Sequence, residues 1–124
     1  MSGVKIILDT NALLLFLQGK IKINQSLSSI GISLITKIEY LVNIELQKND
    51  IHLFEELENE INIIDFTNEN IDLIKTTISI RKKYKLKLPD AIIAATALAN
   101  DALLISADNA FAKIHNRNFK YIKK

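Results

Sequence analysis

Short apolar runs of strand length alternate along the chain with stretches whose apolar residues recur every three or four positions. Residues 4–8 form the first run, β-branched and apolar. It breaks at Asp9-Thr10-Asn11, residue types that cap helices. Residues 12–18 then read as a helix stopped near Gly19. Residues 23–30 fit no single period and are compatible with a short helix, and residues 32–35 read as a second strand. Residues 36–48 carry Ile38, Leu41, Val42 and Leu46 at helical spacing. Residues 51–60 form another amphipathic helix, and residues 61–66 are strand-like. Thr67 is placed to cap a long helix to about Lys85, with Ile71, Ile74 and Ile78 on one face. Pro89 suits the first position of an apolar helix through Asn100. The alanines within residues 94–99 allow that helix to pack close to a sheet. Residues 103–106 are a strand, 109–115 a short helix and 119–122 a last edge strand.

This alternation predicts an α/β fold, a three-layer α/β/α sandwich around a mostly parallel sheet. At 124 residues, with no low-complexity segment, one domain spanning 1–124 is expected. In such sheets ligands bind beyond the carboxyl ends of the strands. Asp9, Glu39 and Asp108 lie just past three such ends. Asp90 opens a helix, and pattern alone places it least firmly on the same rim.

Each acid also has a structural explanation. Asp9 can cap the helix that starts at Thr10, and Asp108 the one that starts at Asn109. Thr36-x-x-Glu39 has the form of a capping box. Asp90 sits in a first helical turn, where the helix dipole favours a negative charge. Gathered on one rim, however, the four would repel. At about 5 Å and an effective dielectric of about 20, one pair costs roughly 3 kcal/mol. A hard divalent cation offsets that repulsion, and carboxylate-held cations serve phosphate chemistry.

Other chemistry is excluded or unsupported. No cysteine is present, which removes thiolate metal sites, disulfides and cysteine nucleophiles. Three glycines, Gly3, Gly19 and Gly31, cannot spell a phosphate-binding loop. His52 and His115 have no ligand partner at metal spacing and read as surface residues. A phosphotransfer role for Asp9 needs a suitably placed lysine, and Lys5 is badly placed. A net charge of +2 is too small to mark a nucleic-acid binder, but its distribution is informative. Arg81, Lys82, Lys83, Lys85 and Lys87 come directly before Asp90. They read either as a solvated helix end or as a phosphate track into an acidic site. Lys120, Lys123 and Lys124 read as a solubilising tail. The apolar stretch 4–17 is broken by Asp9, Thr10 and Asn11, unlike a signal segment, and no run is long enough to span a membrane. A cytoplasmic protein without membrane association is the expectation.

The four acids in their local contexts resemble the PIN-domain family, and in particular the VapC-type toxins of toxin–antitoxin pairs. ILDTNALL is similar to the family's opening D-x-N segment, ITKIEYL to its second-acid helix, LKLPDAIIAATAL to its third-acid helix and LLISADNAF to its closing T-x-D-x-x-F segment. The resemblance covers essentially the whole chain. It implies that Asp9, Glu39, Asp90 and Asp108 are catalytic, metal-binding acids, with Asn11 and Ser106 as polar helpers. Ser106 stands where the family often has Thr and keeps the hydroxyl. The resemblance further implies an endoribonuclease using one or two Mg²⁺ or Mn²⁺ ions, a small antitoxin that blocks it, and a homodimer. Water attack would leave 5′-phosphate and 3′-hydroxyl ends. A PIN nuclease of RNA processing and a non-catalytic PIN-fold binding module are the competing expectations; loss of acids would mark the latter, and none is lost.

Overall fold

Ile6, Ile7 and Leu8 form β1, the middle strand of a five-stranded sheet ordered β3-β2-β1-β4-β5. The computed structural model describes residues 3–43, 45–112, 114 and 119–121, with backbone only for residues 120 and 121. Its strands are β1 (Ile6–Leu8), β2 (Ile30–Ser33), β3 (Asn62–Ile64), β4 (Leu103–Ser106) and β5 (Phe119–Tyr121). All four pairings are parallel. The helices are α1 (Thr10–Leu17), α2 (Leu34–Leu41), α3 (Lys48–Glu58), α4 (Ile71–Tyr84) and α5 (Leu88–Ala99).

Side-chain alternation along β1 divides the core into two layers. Ile7 joins Leu104, Leu73, Ile80 and the buried alanines of α5 on one face. Ile6 and Leu8 join Ile32, Leu13, Tyr40 and Phe54 on the other. Tyr40 of α2 stacks on Phe54 of α3 with ring centroids 5.2 Å apart. Every residue from Ala91 to Ala97 is buried, because α5 lies between the sheet and α4, and Ala91, Ala94, Ala95 and Ala97 allow a close approach. The expected three-layer α/β sandwich with a parallel sheet is the observed one.

Several boundaries differ from expectation. The second strand begins at Ile30, two residues early, after a 3₁₀ turn at Leu27–Ser29 that stands where a short helix was one option. Ser33 caps α2, its Oγ accepting from Ile35 N at 3.2 Å. Thr36 is therefore inside the helix, and the expected Thr36–Glu39 capping box does not exist. Helix α2 ends at Leu41, because Asn43 accepts from Glu45 N at 3.0 Å in an Asx turn that competes with further helix. Asp50 accepts from Gln47 N at 2.9 Å, starting α3 three residues before the expected position. Asn70, not Thr67, caps α4, accepting from Leu73 N at 3.1 Å. Pro89 is the second residue of α5, after Leu88. Gly19, at φ 73°, ends α1 as expected.

The apolar faces of α2 and α4 also turn out differently. Ile71 and Ile78 are 59% and 49% exposed, and the buried face of α4 is Leu73, Thr77 and Ile80. Thr77 tolerates burial because its hydroxyl donates to Leu73 O at 2.7 Å. On α2, Ile38, Leu41 and Val42 are exposed while Thr36 and Tyr40 are buried. The short helix expected at 109–115 is a 3₁₀ turn at Asn109–Phe111. His115, Ile122, Lys123 and Lys124 lie outside the described residues, as does the side chain of Lys120. Among the described residues no helix is long and apolar enough to cross a membrane.

Candidate active site

The sheet order reverses direction between β1 and β4. From β1 the chain steps outward to β2 and β3, then returns to the other side for β4 and β5. That reversal leaves a crevice beyond the carboxyl ends of β1 and β4, where α/β proteins bind their ligands. Asp9 follows β1 directly and Asp108 follows β4 by two residues. The backbone N–H of Asp9 donates to Ile105 O at 3.3 Å, tying the two strand ends together.

Asp9 is 3% exposed. Its two oxygens have separate tasks. Oδ1 accepts from Ala12 N at 2.7 Å and caps α1, and Oδ2 accepts from the Ser106 hydroxyl. Ser106 Oγ in turn accepts from Asp108 N at 2.9 Å, and Asp108 Oδ1 caps the following 3₁₀ turn through Ala110 N at 2.9 Å. The capping roles expected for Asp9 and Asp108 are therefore real, and they hold both carboxylates at the crevice. Ser106 links them.

Glu39 has no capping role. Its Oε1 accepts from Thr10 Oγ1 at 2.7 Å, a bond that spans 29 positions and joins α2 to the first turn of α1. Thr10 is the site-associated residue that sequence reasoning missed. It stood in a cluster of capping types, and nothing local connects it to residue 39. Asn11, half-buried, follows in the same turn. Asp90 lies in the first turn of α5, whose cap is Lys87. With Asp108 it lines a depression of about 250 Å³ whose other walls are Lys85, Leu86, Lys87 and Ala110.

Electrostatics bring the acids together. Burial pushes the Asp9 carboxyl from 3.8 up to about 6, against the lowering effect of the Ser106 and Ala12 hydrogen bonds, and the charges of Asp108 and Asp90 add to the rise. Asp90 is raised as well, by burial first and then by Asp108 and Glu39, with Lys87 partly opposing. Asp9, Asp90, Asp108 and Glu39 thus form one field of mutual repulsion drawn from four elements. Among the described residues no three His, Cys, Asp or Glu side chains are gathered closely enough to hold a metal ion between them. The basic run is divided: Lys85 and Lys87 line the acidic depression, whereas Arg81, Lys82 and Lys83 do not. His52 is exposed, as expected.

Residues 6–116 match the family model of the PIN domain, and the chain belongs to that family. Solved structures agree with the fold. A toxin–antitoxin complex from Klebsiella pneumoniae is similar at 28% identity and a TM-score of 0.75, covering 94% of this chain and 96% of that one. DNA-bound VapBC from Salmonella typhimurium is similar at 19% identity and a TM-score of 0.73, covering 95% and 98%. VapBC-1 from nontypeable Haemophilus influenzae is similar at 20% identity and a TM-score of 0.69, covering 95% and 98%. Comparison with curated protein sequences gives no match.

Proposed function

We propose that this protein is a divalent-metal-dependent endoribonuclease of the cytoplasm, acting as the toxin of a toxin–antitoxin pair. The observation that carries the reading is the group of mutually repelling carboxylates held at the switch point of a PIN-family sheet. Membership of the family favours nuclease chemistry, and the Klebsiella pneumoniae relative, described as a toxin–antitoxin complex, favours the toxin role.

The donor set fits a hard cation such as Mg²⁺ or Mn²⁺, because every donor is a carboxylate or hydroxyl oxygen. Mg²⁺ keeps several waters and takes one or two carboxylates directly, so only part of this donor set would need to touch it. Asp9 and Asp90 would be the principal ligands, with Glu39 and Asp108 completing the site directly or through water, for one ion or two. When bound, such an ion acidifies water and stabilises developing charge on a phosphodiester.

The chain's own residues do the rest. Ser106 fixes Asp9 Oδ2, and Thr10 fixes Glu39 Oε1. Asn11 supplies a further polar group beside Asp9. Lys85 and Lys87 offset the repulsion that carboxylates would exert on an approaching RNA phosphate. The exposed apolar face of α2, Ile38, Leu41 and Val42, suits the apolar side of a helical antitoxin segment. The Ile71–Ile78 stripe of α4 suits a second copy in a homodimer.

The test incubates wild type and Asp90→Asn with RNA in Mn²⁺ or EDTA and maps the new ends. Wild type in Mn²⁺ should give discrete 5′-phosphate and 3′-hydroxyl ends, and the variant and the EDTA control none. Equal cutting by the variant would remove Asp90 from the site, and cyclic 2′,3′-phosphate ends would rule out attack by water. Expression that cuts RNA without slowing growth would leave the nuclease and remove the toxin.

A further inference from the structure

The basic run before Asp90 is continuous in sequence and divided in space. Lys85 and Lys87 line the acidic depression. Lys83 instead borders a second cavity, about 390 Å³, where α4 meets Leu98 of α5; Lys75, Thr76, Ser79 and Tyr84 complete its walls with Ile80. Helical geometry accounts for the split. At about 100° per residue, Lys75, Thr76, Ser79 and Lys83 share one flank of α4, between its buried face and the exposed Ile71–Ile78 stripe. Arg81 and Lys82, though exposed, line neither cavity.

The two cavities are joined by adjacent residues at the end of α4, since Tyr84 walls one and Lys85 the other. Lys85 adopts the left-handed conformation, φ 54° and ψ 38°. That costs a residue with a β-carbon about 1–2 kcal/mol, and strain of this kind clusters at binding sites and switches. Here it ends α4 abruptly and returns the chain toward α5, which brings Lys85 and Lys87 to the rim that holds Asp90.

We infer that the α4–α5 cavity is a second RNA subsite, holding a nucleotide that flanks the one being cut, with the strand crossing the C-terminal turn of α4 between the two cavities. The inference rests on the nuclease reading above. The lining carries two ammonium groups and no carboxylate, which favours an anion over an acid-accepting or neutral ligand. The hydroxyls of Thr76, Ser79 and Tyr84 can bond phosphate or ribose oxygens. Lys83 Nζ lies 5.3 Å from the centroid of the Tyr84 ring, pairing a cation with an aromatic face, the combination that single-stranded RNA binders use. The volume is near the lower end of the roughly 300–1,000 Å³ of small-ligand pockets, which suits one nucleotide rather than a folded partner.

The test compares two double variants of equal charge loss, Lys75→Gln with Lys83→Gln, and Arg81→Gln with Lys82→Gln. Binding of an unstructured 12-nucleotide RNA is followed by fluorescence anisotropy in EDTA, from 50 to 200 mM salt. Wild-type cleavage of the same RNA in Mn²⁺ is measured alongside. The first variant should lower the slope of log affinity against log salt by about 1.4, two contacts at about 0.7 each, with an unchanged melting temperature. The second should leave the slope nearly unmoved. Equal losses in both would reduce the effect to general charge and overturn the subsite. No loss in the first, beside a wild type that cleaves, would overturn it too. A wild type that neither binds nor cleaves RNA would instead remove the nuclease reading itself.

Discussion

Replacing Asp9 with Asn removes a charge from a buried position while keeping its shape. The carboxyl ordinarily titrates at 3.8 and here is raised to about 6. At 1.36 kcal/mol per unit, that rise of about two units costs the folded protein about 3 kcal/mol once Asp9 is ionised. Below about pH 4 Asp9 is protonated in both folded and unfolded chains, and the cost is absent. Between about pH 4 and 6 the unfolded chain ionises first, so stability falls as pH rises. Above about pH 6 both forms are ionised and the full loss is present. Asn escapes this titration. Its Oδ1 can still accept from Ala12 N, but its amide nitrogen can only donate toward Ser106 Oγ, so the bond donated by the Ser106 hydroxyl is lost, at about 1 kcal/mol. The expected net gain at pH 7 is about 2 kcal/mol, or about 6–10 °C in melting temperature for a chain of this size. The assay is urea and thermal unfolding of both proteins in EDTA from pH 4 to 7.5. Added Mn²⁺ should then stabilise the wild type and not the variant, by about 2.7 kcal/mol at a hundredfold excess over its Kd. A variant less stable than wild type at pH 7, or a wild-type stability flat from pH 4 to 6.5, would refute the burial argument.

Two further substitutions probe the residues around Glu39. Thr10→Val should lower RNA cleavage at least tenfold and weaken Mn²⁺ binding measured by calorimetry, whereas Thr10→Ser, which keeps the donor to Glu39, should restore both. Thr36 Oγ1 is buried without a hydrogen-bond partner among the described residues, so Thr36→Val should stabilise the fold by about 1 kcal/mol in urea unfolding. A destabilised Thr36→Val protein would mean that the hydroxyl is satisfied.

The strands and the apolar helix α5 were legible because their residue types and period agree with their environment. The run from residue 4 to 8 and the alanine-rich stretch after Pro89 have few alternatives. Glu39 was harder. The segment from Ile30 to Ile35 is apolar except for Ser33, and its period did not say where strand gave way to helix, so Ser33 was not read as the cap. A shift of three residues moved the cap from Thr36 to Ser33 and freed Glu39 for Thr10. The faces of α2 and α4 were misleading for a different reason. Thr36 and Thr77 occupy buried positions that pattern reserves for apolar residues, while isoleucines stand outside. The packing of one chain does not account for apolar residues left in solvent, so its pattern could not mark those faces as exposed. The division of the basic run depended on a left-handed lysine, which no propensity anticipates.

The hydrogen bond between Ser106 and Asp9 joins positions 97 apart in the chain. At the roughly 5–20 residues per second of protein synthesis, about 5–20 s separate the appearance of the first carboxylate from that of its partner. Through that interval the crevice is incomplete, because Ser106 and the strand that carries it beside β1 have not yet been made. On the proposed reading, the site is therefore assembled only after β4 has been synthesised and paired with β1.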